Sequence, residues 1–243
     1  MISKSQIKLI TGLGQKKYRQ RHGLFIVEGI KGIKEFLGSR FAVRQIYVLA
    51  EDVTKLESAK VEIINEKELR KISLLKNPQR ALALFEIPEN IQNSSSGEGL
   101  TLMLDDVRDP GNLGTIIRLC DWFGITRLVC SEKTVDCYNP KVVQASMGSL
   151  GRVEVVYASL CNYLGENKLP VYGAFMDGKN LYTETLPTDA ILILGNEANG
   201  ISKITEAFVN HRISIPQYGA QTAESLNVAT AGAILMSAWR GQG

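Results

Sequence analysis

From Leu100 onward, short apolar runs alternate with helix-length segments, and nothing else in the sequence constrains the fold as strongly. LTLMLDDV at 100–107, TRLVCS at 126–131, RVEVVY at 152–157, VYGAFM at 171–176, AILILG at 190–195 and RISIP at 212–216 read as strands. Helical spacing separates them, over 113–123, 139–148, 159–167, 203–209 and 225–239. Strands this short and this uniformly apolar are buried on both faces. The expectation is an α/β fold with a parallel sheet covered by helices.

The first 90 residues read differently. A helix is expected over 2–13, a strand at LFIVEG 24–29, and a helix over 30–38. Strands follow at RQIYVLA 44–50 and VEII 61–64, then a helix from 66 capped by Asn65, and a strand at RALALFEI 80–87. This is a small αβ domain, a three-layer sandwich. The polar stretch IQNSSSGEG at 91–99 reads as a linker, giving domains at 1–90 and 100–243. Charge switches at the same place. Residues 1–90 hold 17 Lys and Arg against 10 Asp and Glu, and the remainder 11 against 15. In KKYRQRHG, Lys16, Lys17, Arg19 and Arg21 surround Tyr18. A solvated loop accounts for such a run, but a basic front half with an aromatic among the cations points to a nucleic acid.

Other classes lose support. No apolar run is long enough for a membrane helix, and the N-terminus lacks a signal-peptide pattern, so a cytoplasmic location is expected. Cys120, Cys130, Cys137 and Cys161 form no CxxC pair and read as small hydrophobes. With only His22 and His211 besides, no metal site is expected. GLGQKK at 12–17 lacks the third glycine and the preceding strand of a dinucleotide fingerprint, and no GxxxxGK[ST] occurs.

In an open parallel sheet, ligands bind beyond the carboxyl ends of the strands. Three polar, glycine-bearing loops stand there: DDVRDPGNLG, GNEANGIS at 195–202 and PQYGAQTAESLN at 216–227. Each leads into a helix, whose free N–H groups suit an anionic or polar ligand. Asn112 is expected to cap the first of these helices, which Gly124 would stop. Ser225 and Asn227 fall in the first turn of the last helix, where capping alone would account for them. Arg118 stands in a helix otherwise largely apolar. Asp121 could pair with it on the surface, but Thr115, Leu119 and Trp122 around it suggest a buried stem and a partner, with Glu197 a candidate. Trp122 is read as packing.

NLGTIIR at 112–118, LILGNEANGIS at 192–202 and ISIP…ESLNVATA at 213–231 resemble the three motifs of the SpoU (TrmH-like) branch of the SPOUT RNA methyltransferases. TVDCYNPKVVQASMGSL at 134–150 matches the stretch between them, and FIVEGIKGIKEFL at 25–37 resembles the RNA-binding domain often fused to that family. The resemblance implies methyl transfer from S-adenosyl-L-methionine to a ribose 2′-hydroxyl, with ribosomal RNA preferred over transfer RNA. It implies a C-terminal trefoil knot within residues 190–230, which ordinary connection rules would not suggest, and a homodimer with each active site near the interface.

By position, Asn112, Arg118, Glu197, Ser225 and Asn227 carry over as catalytic residues. Gly195, Asn196, Ile215, Pro216 and Leu226 carry over as the cofactor site. Pro216-Gln217 stands where proline–methionine is usual, and the loop to Ser225 is about two residues longer than is common in the family. Arg118 is expected to act by charge and orientation, since its guanidinium stays protonated. Asn112 is expected to orient the arginine or the substrate, Glu197 to hold the arginine, and Ser225 and Asn227 to shape the ribose and cofactor site. Two other readings stay open: an RNA-binding protein of this fold without catalysis, and a metabolite-binding αβ protein.

Overall fold

A computed structural model describes residues 1–56, 58, 60–88, 99–219 and 224–242. Two units emerge, Met1–Ile91 with Asp136–Arg152, and Gln92–Val135 with Val153–Gly243. The linker expected at 91–99 lies, apart from Gly99, outside the described residues.

In the first unit, α1 (Lys4–Gly12) and α2 (Lys16–His22) precede β1 (Leu24–Glu28) and α3 (Ile30–Leu37). There follow β2 (Val43–Leu49), β3 (Val61–Ile64), α4 (Glu66–Ile72) and β4 (Ala81–Glu86). The sheet order is β1-β4-β2-β3, with β4 antiparallel to both neighbours. Strand alternation divides its apolar residues between two faces. Leu24, Ile26, Leu82 and Leu84 join Ile10, Leu69 and Ile72 of α1 and α4 in one core. On the other face Phe25 and Phe85 meet Phe36 of α3, together with Phe41 and Tyr138. Tyr138 comes from far along the chain. Residues 136–152, including α6 (Pro140–Ser146), pack in this unit, with α6 against β1.

The same segment decides the role of Arg19. Grouped by sequence with Lys16, Lys17 and Arg21 as an RNA-contacting cation, Arg19 is instead 2% exposed. Its Nη2 donates to Asp136 Oδ2 at 2.5 Å and its Nη1 to the Leu13 carbonyl at 2.8 Å. The helical turn of α2 points Arg19 inward and leaves Lys16, Lys17 and Arg21 exposed.

The second unit is built on β5 (Leu100–Leu104), β6 (Arg127–Cys130), β7 (Glu154–Tyr157), β8 (Val171–Asn180), β9 (Ala190–Leu194) and β10 (His211–Ser214). They form one parallel sheet in the order β10-β8-β9-β5-β6-β7. Every residue of β5 and β9 is buried, as a doubly covered sheet requires. Met103, Val129, Ile191 and Ile193 pack with Leu160 and Leu164 of α7 (Leu160–Gly165). Residues of opposite parity, such as Leu102 and Leu194, turn to the other face. There α9 (Val228–Arg240) packs beside α5 (Pro110–Trp122). The short α8 (Lys203–Glu206) precedes β10. Among the described residues no helix is long and apolar enough to cross a membrane.

Three local expectations need correction. Asp109, not Asn112, caps α5: its carboxylate accepts the Asn112 N–H at 2.8 Å, and Pro110 occupies the first turn. The last helix starts at Val228, so Ser225 and Leu226 precede it. Trp122 does not pack within the chain but is 82% exposed. Leu113, Ile116, Ile117 and Cys120 form the buried stripe of α5, while Thr115, Arg118 and Trp122 recur on the opposite one.

Candidate active site

The three motif loops meet through asparagine side chains. Asn227 caps α9, its Oδ1 accepting from the N–H groups of Ala229 and Thr230 at 3.0 and 3.2 Å. That assigns its amide, so its Nδ2 is left to donate to Asn112 Oδ1, at 2.9 Å. Asn112 is then oriented in turn, and its Nδ2 donates to Glu197 Oε1 at 2.5 Å. Capping and site-building are therefore two uses of one side chain. Each bond fixes the direction of the next, and Glu197 ends the chain as its only charge.

A second set of bonds shapes the loop after β9. Asn196 and Gly200 exchange backbone hydrogen bonds at 3.0 and 2.8 Å, closing a tight turn. Asn196 Oδ1 accepts from Ala198 and Asn199 N–H groups, and its Nδ2 donates to the Asp106 carbonyl at 2.7 Å. Asp105, buried, accepts the Ser202 N–H at 2.9 Å. Asp106 holds a left-handed conformation at φ +61°, and its carboxylate receives two N–H groups of Arg108. The loops after β5 and β9 are thus tied at both ends. Gly195 begins the turn because nothing larger fits: a Cβ there would overlap the Gly200 and Ile201 backbone.

These loops border a cavity of about 600 Å³ at the carboxyl ends of β8, β9 and β10. It brings together all five residues expected to hold a cofactor: Gly195, Asn196, Ile215, Pro216 and Leu226. Glu197 and Ser225 also line it, and Asn112 and Asn227 reach it through Glu197. Arg118 is not joined to this set. It is exposed, and among the described residues it makes no hydrogen bond or ion pair. Glu197 holds Asn112 rather than Arg118, because Asn112 and the loop after β9 face each other directly.

Sequence reasoning missed one wall. Ala174, Phe175 and Met176, in β8, line the cavity. They lie within the strand and not beyond its end, so a search of the strand-end loops passes over them, and VYGAFM lacks the polar residues that mark those loops. Phe175 is backed by Arg212, whose guanidinium carbon lies 3.5 Å from the ring centroid and which pairs with Asp177 and Glu206. Among the described residues no cluster of His, Cys, Asp and Glu could hold a metal.

An open parallel sheet with a cavity at its strand ends, closed by three short motifs, defines an α/β ligand-binding enzyme class. Residues 99–237 match the SpoU rRNA Methylase family, and the chain belongs to that family. Residues 4–83 match the MRM3-like substrate binding domain. A relative from Bacillus subtilis (strain 168), the 23S rRNA (guanosine(2553)-2′-O)-methyltransferase RlmP, is 32% identical over 94% of this chain and 93% of its own. A solved structure of a TrmH-family RNA methyltransferase homologue from Porphyromonas gingivalis is 41% identical, with TM-score 0.92 and full coverage of both chains. An AdoMet-bound rRNA methyltransferase from Sinorhizobium meliloti is 27% identical, with TM-score 0.87 over 99% of this chain and 97% of that one.

Proposed function

We propose that this chain transfers a methyl group from S-adenosyl-L-methionine to a ribose 2′-hydroxyl of ribosomal RNA, with the large-subunit RNA as substrate. The observation that carries the reading is the bonded series Asn227–Asn112–Glu197, which ties all three family motifs to one cavity. Family membership and the 23S rRNA relative support the RNA class.

The residues present fit the cofactor. Leu194, Ile213, Ile215 and Val228 offer an apolar wall to an adenosyl group, and a cavity of about 600 Å³ is of the size that small cofactors occupy. Glu197 supplies a negative charge at the rim to match the cofactor's positive centres. When bound, S-adenosyl-L-methionine supplies a methyl group on a sulfonium, an activated carbon with a good leaving group.

The chain's own task is the poor nucleophile. Asn112 and Ser225 present hydrogen-bonding groups that orient the ribose. Arg118, exposed and with no carboxylate partner among the described residues, is open to a phosphate and to the oxygen that gains charge. Its planar fork of N–H donors orients the reacting oxygen, and the hydroxyl proton leaves to phosphate or water.

The homodimer, the trefoil knot and the domain division at 90–100 belong to the same reading. The exposed stripe Thr115, Arg118 and Trp122 supports a second subunit there. Family membership supports the knot, within which residues 220–223 lie outside the described residues. The two family matches, ending at 83 and starting at 99, support the division. Cysteine usage supports a cytoplasmic location.

The test is transfer of tritiated methyl from labelled cofactor to unmodified 23S rRNA and to transfer RNA, with Arg118→Ala as control. Label in 23S rRNA, resistant to alkaline cleavage and absent with the variant, is the expected result. Label in transfer RNA instead would change the substrate. Cofactor binding without transfer to either RNA would favour the non-catalytic RNA-binding reading.

A further inference from the structure

Resting on the reading above, we propose that the groove at one end of the first unit's sheet grips the RNA phosphate backbone, with Arg44 and Arg40 as its cations and His22 as a further hydrogen-bonding group. Topology assembles it. Because β4 runs antiparallel to β1 and β2, the starts of those strands and the end of β4 lie together: Leu24 faces Glu86, and Val43 faces Phe85. His22 arrives there because α2 enters β1 through Gly23, at φ +61°. Arg40 and Arg44 arrive with the start of β2. Positions far apart in sequence thus line one groove of about 800 Å³, with Glu86 as its lone carboxylate among the described residues.

Of the unit's arginines, Arg21 and Arg44 are the two that make no hydrogen bond or ion pair among the described residues, and of these Arg44 is the one that lines the groove. Elsewhere in the unit, Arg19 pairs with Asp136, Arg70 with Glu66, Arg80 with Asp52 and Arg152 with Glu35. Arg44 is exposed and has no such partner among the described residues. A guanidinium without a carboxylate, beside two more basic side chains, presents its donor fork to phosphate oxygens. The groove does not offer a stacking surface: Tyr47, which lines it, is 3% exposed. It therefore reads the backbone, not the bases.

The experiment titrates a labelled 23S rRNA fragment with full-length protein across a KCl series. Arg44→Ala and Arg40→Ala/Arg44→Ala are compared with Lys67→Ala/Lys71→Ala on α4 of the same unit. Arg44→Ala should weaken binding about three- to tenfold, and each lost cation should lower the log–log salt slope by about 0.7–0.9. Arg44→Lys, which keeps the charge, should keep the slope, and cofactor affinity should match wild type throughout. Groove variants that bind with the wild-type slope, or α4 variants that lose as much, would overturn the proposal. Loss of the slope in Arg44→Lys would overturn it too, because it would point to damage rather than to charge. Failure of the methyltransferase reading would look different: wild-type protein would bind RNA yet transfer no methyl group.

Discussion

Asn227 shows how much one side chain can be asked to do. Its Oδ1 caps α9 while its Nδ2 holds Asn112. The two uses separate by substitution. Asn227→Asp keeps the cap acceptor and loses the donor, so thermal stability should stay within about 0.5 kcal/mol while methyl transfer falls at least about tenfold. Asn227→Ala loses both, costing about 1 kcal/mol of stability as well. Thermal melts beside turnover assays read both effects. Glu28 illustrates a different residue-level effect. Burial raises its carboxyl above the ordinary range, against hydrogen bonds from Ser73 Oγ and the Leu74 N–H that lower it. A raised carboxyl favours the folded state when protonated, so its contribution is present at low pH and lost as pH rises through the folded value. Wild-type stability relative to Glu28→Gln should therefore improve as pH falls from neutral toward the ordinary carboxylate range, measured by urea melts.

At the scale of elements, the strand ends make the site and the turns that leave them have no slack. Gly195 closes β9 into the Asn196–Gly200 turn, where a Cβ would overlap backbone rather than a movable side chain. Gly195→Ala should cost about 1–3 kcal/mol and abolish cofactor binding by calorimetry, whereas Gly23→Lys, at a glycine that is not part of the cavity lining, should leave cofactor binding unchanged. The elements themselves were largely legible. β5 and β9 announced themselves as uninterrupted apolar runs, because burial on both faces leaves no room for polar residues. The motif loops were legible because turn and cap residues are chemically distinctive. What escaped has physical causes too. The wall at Phe175 and Met176 is apolar, so it resembled the strand it continues. Arg19 and Arg21 look alike in sequence, and only the phase of α2 sends one inward and the other to solvent. The start of α9 was misplaced because Ser225 and Asn227 are both good caps, and the choice between them is made by Asn112, 115 residues away.

For the whole molecule, the exposed stripe of α5 bears on assembly. Trp122→Glu should leave the fold intact, since the ring is 82% exposed, and shift the protein toward monomer in sedimentation velocity if a second copy covers that stripe. A different consequence follows from the packing of residues 136–152 in the first unit. Tyr138 completes the aromatic face around Phe25, and Asp136 neutralises buried Arg19. Neither exists in a fragment of residues 1–90. Such a fragment would hold a guanidinium without its counter-charge, an omission worth about 3–5 kcal/mol, beside an aromatic surface missing one of its rings. It should be soluble only poorly and melt well below the full chain, and adding 136–152 as a separate peptide should restore part of the loss. On the ribosome the same relation sets a schedule. The amino-terminal half, though synthesised first, cannot reach its final form until a segment made some fifty residues after its last strand, which ends at Glu86, has emerged, so its maturation waits on the enzyme half being under construction.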